Sequence, residues 1–138
     1  MIIDANVILI YLLRNNEGFY ERSANLLDDI FLGKKKILIL HSVLAEVAYV
    51  LQKFYKIDNK EIEKFLTEFL GMETIKAHDK EVVLEALKTF GSKKLDFMGC
   101  ILCAYSKDHV IIAFDGKVND CIRIMMVLYI TLYKINSF

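Results

Sequence analysis

Three acids stand out by their apolar surroundings. Asp4 closes the apolar start MIID, Asp115 closes the apolar run from Val110 to Phe114, and Glu46 lies on a helical stretch whose neighbours are apolar. Carboxylates are rarely buried without a partner. Held close together they repel and raise one another's pKa unless a cation neutralises them. A hard divalent ion that prefers oxygen, Mg²⁺ or Mn²⁺, is the natural neutraliser. The same acids read equally well as helix caps or as exposed residues at loop edges, and the residues alone leave both readings open. The stretch from Leu95 to Lys117 holds a further acid, Asp96. It precedes a run with helical spacing (Phe97, Cys100, Ile101, Ala104, Tyr105), so its side chain can cap the free N–H groups of that helix.

The elements that must position these acids follow from periodicity. MIID reads as a buried strand, Ala5 to Arg14 as a short helix, and Phe19 to Leu32 as a longer one ended by Gly33. Ile37 to Leu40 is the next strand, after which Ser42 is placed to cap a helix running through Val43, Val47, Val50, Leu51 and Phe54. Asp58 and Glu61 have capping-box spacing ahead of Ile62, Phe65, Leu66, Phe69 and Leu70. Met72 to Ala77 reads as a short strand. Asp79 then caps a helix closed by Gly91, and Val110 to Phe114 is a continuous apolar run that fits a strand buried on both faces. Strands alternating with helices predict an α/β fold: a central, mostly parallel sheet of four to five strands with helices on both faces. Ligands in such sheets bind beyond the carboxyl ends of the strands, where Asp4 and Asp115 fall.

Composition narrows the class. The chain has 138 residues, which predicts one domain over 1–138, with no Pro and six Gly against a hydrophobic content of 55%, so long regular elements should dominate. Lys and Arg balance Asp and Glu, 18 against 18, so there is no general attraction to a polyanion and nucleic acid would need a local basic patch. Arg14, Lys34, Lys35, Lys36, Lys93 and Lys94 are the candidates for phosphate contacts. Three cysteines and no secretory leader predict free thiols and a cytoplasmic protein, and no uncharged run is long enough to span a bilayer. Cys100 and Cys103 form a CxxC, which reads as small core residues because Ile101 and Leu102 separate them and no second thiol pair exists for zinc. The apolar tail 121–138 is open to three readings: helix, edge strand or subunit contact.

With these residues in view, residues 1 to 120 resemble the PIN-domain ribonucleases, and among them the VapC-like toxins of toxin-antitoxin pairs. IIDANVIL resembles the first family motif, SVLAEVAYVL the second and VIIAFDGKVN the last. The resemblance implies Asp4 and Asp115 as metal ligands, Asn6 and Ser42 as supporting residues, and Glu46 as the helix acid that orients or deprotonates water. The third motif departs from the family: where DFxDxLLxA is usual this chain has DFMGCILCA, so Gly99 stands where an acid is expected and Asp96 is the nearest substitute ligand.

The resemblance implies Mg²⁺- or Mn²⁺-dependent hydrolysis of RNA phosphodiester bonds by a single PIN-like domain, restrained by a cognate antitoxin; the apolar tail predicts a homodimer, and no membrane attachment is expected. Two other functions stay open. Gly99 is compatible with a degenerate PIN domain that binds RNA or protein without cutting. A haloacid-dehalogenase-like phosphohydrolase would use Asp4 as nucleophile, although it wants a second Asp where Asn6 stands.

Overall fold

Three short parallel segments form the middle of the molecule, described for residues 1–136 by a computed structural model. β1 (Ile37–Ile39) pairs in parallel with β2 (Ile75–Ala77), and Ile2 joins the other side of β1 through a single bridge to Leu38. The register puts Ile2, Leu38 and Lys76 in one row, and all three are exposed, whereas Ile3, Ile37, Ile39 and Ile75 are buried. One face of the small sheet is therefore packed and the other is open.

Seven helices surround the sheet among the described residues: α1 (Ala5–Leu13), α2 (Glu17–Phe31), α3 (His41–Lys53), α4 (Asn59–Leu70), α5 (Lys80–Ser92), α6 (Phe97–Tyr105) and α7 (Gly116–Asn136). Their boundaries have local causes. Asn16 caps α2 by accepting from the Phe19 N–H at 3.1 Å, and Gly33 follows its end with φ 82°, a left-handed conformation that glycine adopts without strain. Asp58 caps α4, and Asp96 caps α6. The packed layer is built from the apolar stripes of these helices, with Phe69 and Phe90 fully buried and Phe90 edge-on to Phe97 at 6.2 Å.

Several expectations need correction. Two strands and one isolated bridge are present among the described residues, not four to five strands. The first strand shrinks to the Ile2 bridge. Residues 110–114 form no strand: Val110 is 89% exposed, Ile112 81% and Phe114 101%, and none of their backbone groups joins a backbone hydrogen bond. An apolar run becomes a strand only when a neighbouring strand supplies the ladder. Ser42 does not cap α3, since the helix starts at His41 with Leu40 in the capping position. Gly91 does not close α5, which continues through Ser92. Asp79 does precede α5, but its side chain makes no cap and instead accepts from the Tyr105 hydroxyl at 2.5 Å.

The tail is a helix. Over residues 116–136 it runs about 31 Å at 1.5 Å per residue, and positions 137 and 138 of the tail lie outside the described residues. Val118 and Cys121 are its buried residues, and Ile122 and Met125 are partly buried against the core, while Ile124 and the residues from Met126 to Asn136 are exposed. No helix among the described residues is long and apolar enough to cross a membrane.

The cysteines also depart from expectation. Cys103 and Cys121 are disulfide-bonded across 18 residues, linking the last turn of α6 to the second turn of α7, and Cys100 is the free, buried thiol. Burial, then the negative charge of Asp96, pushes the Cys100 thiol up to about 12, so it stays protonated and takes the core role expected of it. Closing a loop of that length is worth about 3 kcal/mol in the chain-entropy account. Treatment with a dithiol is expected to lower the stability of the chain by about that amount and to make α7 the first site of limited proteolysis. Identical denaturation midpoints and cleavage patterns with and without the dithiol would contradict this attachment.

Candidate active site

α6 is the helix that most of the candidate site leans on. Phe97, Gly99, Cys100, Ile101, Cys103 and Ala104 are all buried, so its register is set by the core on nearly every side. Its N-terminus is fixed by Asp96, whose Oδ1 accepts from the Gly99 N–H at 2.6 Å. That bond leaves the second carboxylate oxygen unspent. Gly99 is there for room as much as for the bond: a Cβ at this position would stand 2.8 Å from Leu95 Cδ1 and 2.9 Å from Cγ. Leu95 is itself buried, so an acid at position 99 would have to displace it. Leu95 thus fills the space that an acid at position 99 would need.

α3 packs beside α6 and presents a polar stripe. Ser42, Glu46, Tyr49 and Lys53 follow one another at intervals of four, three and four residues, which puts them on one face, and all four are exposed. Glu46, Tyr49 and Lys53 line a cleft of about 1040 Å³ together with Asp96 and Asp115, and Lys93, Lys94 and Lys117 line it too. Asp115 arrives from the other side. It does not end a strand, as expected; it caps α7, with Oδ1 accepting from the Lys117 N–H at 2.8 Å and the Val118 N–H at 3.4 Å. Asn119 secures the same turn by donating to the Ala113 carbonyl at 2.9 Å.

The expected residues divide accordingly. Glu46, Asp96, Asp115, Lys93 and Lys94 share the cleft. Asp4, Asn6 and Ser42 are exposed but do not line it. Asp4 holds the N-cap position of α1 without using its side chain as a cap, so its carboxylate is unspent at the carboxyl end of the Ile2 bridge. Arg14 lies over the Tyr20 ring, its guanidinium 5.4 Å from the centroid, and Lys35 pairs with Asp29 at 3.2 Å; with Lys34 and Lys36 they lie away from the cleft. Tyr49, Lys53 and Lys117 are additions. The spacing of Tyr49 and Lys53 from Glu46, three and seven residues along one helix, is the signal that identifies them.

The donor chemistry fits a hard divalent cation. Asp4, Glu46, Asp96 and Asp115 form no ion pair although lysines surround the cleft, and each has at least one carboxylate oxygen without a protein partner. Their spacing does not form a closed cage, because among the described residues no three acids stand close enough to share one ion. That arrangement suits Mg²⁺, which keeps several waters and is commonly held through one or two carboxylates.

The two roles of Asp96 separate experimentally. Asp96→Ala removes the α6 cap and is expected to cost about 1 kcal/mol, while Asp96→Asn keeps the cap oxygen and should leave thermal stability nearly unchanged. Equal losses in the two variants would contradict the cap.

Compared with known protein families, residues 1–120 match the PIN domain. No curated protein and no solved structure matches the chain. The match takes in Asp4, Glu46, the α6 turn and Asp115, and ends just before Cys121 and the exposed length of α7. PIN domains have a nuclease-type fold, are generally nucleases and typically depend on divalent metal. A match over this much of the length, on an α/β arrangement of seven helices and a small parallel sheet, shows that the chain belongs to the PIN domain family.

Proposed function

We propose that the chain is a metal-dependent endoribonuclease and the toxin of a toxin-antitoxin pair. The observation that carries the nuclease reading is the cleft itself. It brings Glu46, Asp96 and Asp115, none of them neutralised by a cation of the protein, together with Lys53, Lys93, Lys94 and Lys117. In a chain of zero formal net charge, the cleft sets four lysines beside four acids, Glu46, Asp58, Asp96 and Asp115, so it offers cations for phosphate contacts without being a net basic patch.

The division of labour follows from position. An oxygen that capping leaves free on Asp115 or Asp96 would hold a divalent ion, one or two carboxylates sufficing for Mg²⁺, and the family motif suggests Asp4 for the same role. Such an ion, when bound, polarises the phosphate and acidifies water. The lysines hold the phosphates on either side of the scissile bond. Glu46 makes no hydrogen bond within the protein, which leaves it able to take the proton of an attacking water that comes within hydrogen-bond reach. Exposed Tyr49 offers a ring on which a base can stack.

A second reading, a PIN domain that binds without cutting, is favoured by Gly99 and by the buried Leu95 beside it. The phosphohydrolase reading gains nothing: Asn6 stands where its second acid belongs, and Asp4 lies outside the cleft. The toxin assignment rests on the motif resemblance, with an antitoxin docking near the acidic cleft. The exposed apolar side chains of α7 support self-association as a homodimer.

Purified chain is expected to cleave single-stranded RNA with Mg²⁺ or Mn²⁺ and to stop when the metal is chelated. Asp4→Asn and Asp115→Asn should each reduce cleavage at least a hundredfold, on the order of 3 kcal/mol of transition-state stabilisation. Cleavage that survives both chelation and substitution would rule out the mechanism, and RNA binding without any cleavage would favour the second reading. Sedimentation of the same preparation should give twice the chain mass; a monomer would contradict self-association.

A further inference from the structure

A second cavity, of about 720 Å³, opens between α1 and α2. Arg14 turns the chain back on itself in a left-handed conformation (φ 50°), and α2 returns along α1 after a short connection. Val7, Ile10 and Leu26, each only partly buried, form the apolar part of the slot.

Its polar lining is selective. Arg22 is the one charged residue among those that line it, so the slot is cationic in a chain that is neutral as a whole. The two asparagines of the connection are already engaged: Asn15 donates to the Tyr55 hydroxyl at 3.0 Å, and Asn16 caps α2. Asn6 is different. It is exposed, it forms no hydrogen bond within the protein, and its amide offers one acceptor and two donors side by side. Phe19 is 51% exposed, and the Arg22 guanidinium lies 5.7 Å from its ring centroid.

A half-exposed ring with a guanidinium over it, next to an unspent amide and an apolar floor, brings together the contacts that an unpaired nucleotide uses. A base stacks on an aromatic ring, a carboxamide pairs with the edge of a base, and a guanidinium takes a phosphate. We propose that the α1–α2 cavity binds one unpaired nucleotide of an RNA strand, its base stacked on Phe19 and read by Asn6, its phosphate held by Arg22. The place is apt, because Asn6 lies in the first turn of α1, two residues beyond Asp4. The slot thus offers a strand a contact two residues along the chain from Asp4, in addition to the lysine-lined cleft. The slot then selects which nucleotide flanks the site.

This inference rests on the proposal that the chain binds RNA, and its test separates the two. A fluorescent single-stranded RNA oligonucleotide is titrated with native chain, Phe19→Ala, Phe19→Tyr and Asn6→Ala, with chelator present so that binding is read without cleavage. Phe19 and Asn6 are exposed, so folding should tolerate each change, and circular dichroism checks it. Phe19→Ala is expected to weaken binding about five- to hundredfold, the range found for loss of one stacked base, Phe19→Tyr to bind as native, and Asn6→Ala to narrow the differences among oligonucleotides of different base. Native binding with unchanged affinity in Phe19→Ala would overturn the slot while leaving the nuclease proposal standing. No RNA binding by the native chain would overturn both.

Discussion

The burial of α6 is the constraint on which the rest of the site depends. A nine-residue helix with six buried positions has almost no freedom to rotate or slide. Its N-terminus therefore holds Asp96 at the mouth of the cleft, its flank meets α3 and the Glu46 stripe, and its last turn reaches α7 through Cys103. Asp115 is positioned from that far end, by the α7 turn that it caps and by the buried Val118 and Cys121. Three acids from three separate parts of the chain come to line one cleft because a single packed helix touches each of their elements.

Those acids share a further property. Two of them, Asp96 and Asp115, are N-caps, and a cap uses one oxygen of the two. Capping and metal binding are thus compatible roles for the same carboxylate. The absence of ion pairs at Asp4, Glu46, Asp96 and Asp115 matters more than their number, since Lys60, Lys107 and Arg123 do pair with Glu63, Glu85 and Asp120 elsewhere on the surface. Unneutralised negative charge beside four lysines is an arrangement that a cation and a phosphate can complete together.

Much of this was legible in the chain. The helices were readable because their apolar residues recur with helical spacing and two of their starts carry Asp58 and Asp96 as caps; the Asn16 cap of α2 became visible only in the structure. Asp4, Glu46 and Asp115 were readable as acids beside apolar runs and Asp96 as a helix cap, although the structure leaves all four exposed. The sheet was legible in part: Ile37 to Leu40 and Met72 to Ala77 read as strands and contain the parallel pair, whereas Val110 to Phe114, just as apolar, found no partner, because strand formation depends on a partner and not on the run itself. The disulfide was hidden for a similar reason, since the CxxC draws attention to Cys100 whereas the fold brings Cys121 to Cys103. Gly99 could be seen as a missing acid, but only the packing shows Leu95 in the space an acid would use.

The central claim is that the cleft acids are arranged for a divalent cation. Titration of Mn²⁺ into the chain, followed by its paramagnetic resonance signal, tests this without any substrate. The account predicts saturable binding that Asp115→Asn weakens at least tenfold and that Lys94→Ala leaves intact. Native chain that takes up no Mn²⁺, or takes it up equally well without the Asp115 carboxylate, would contradict it.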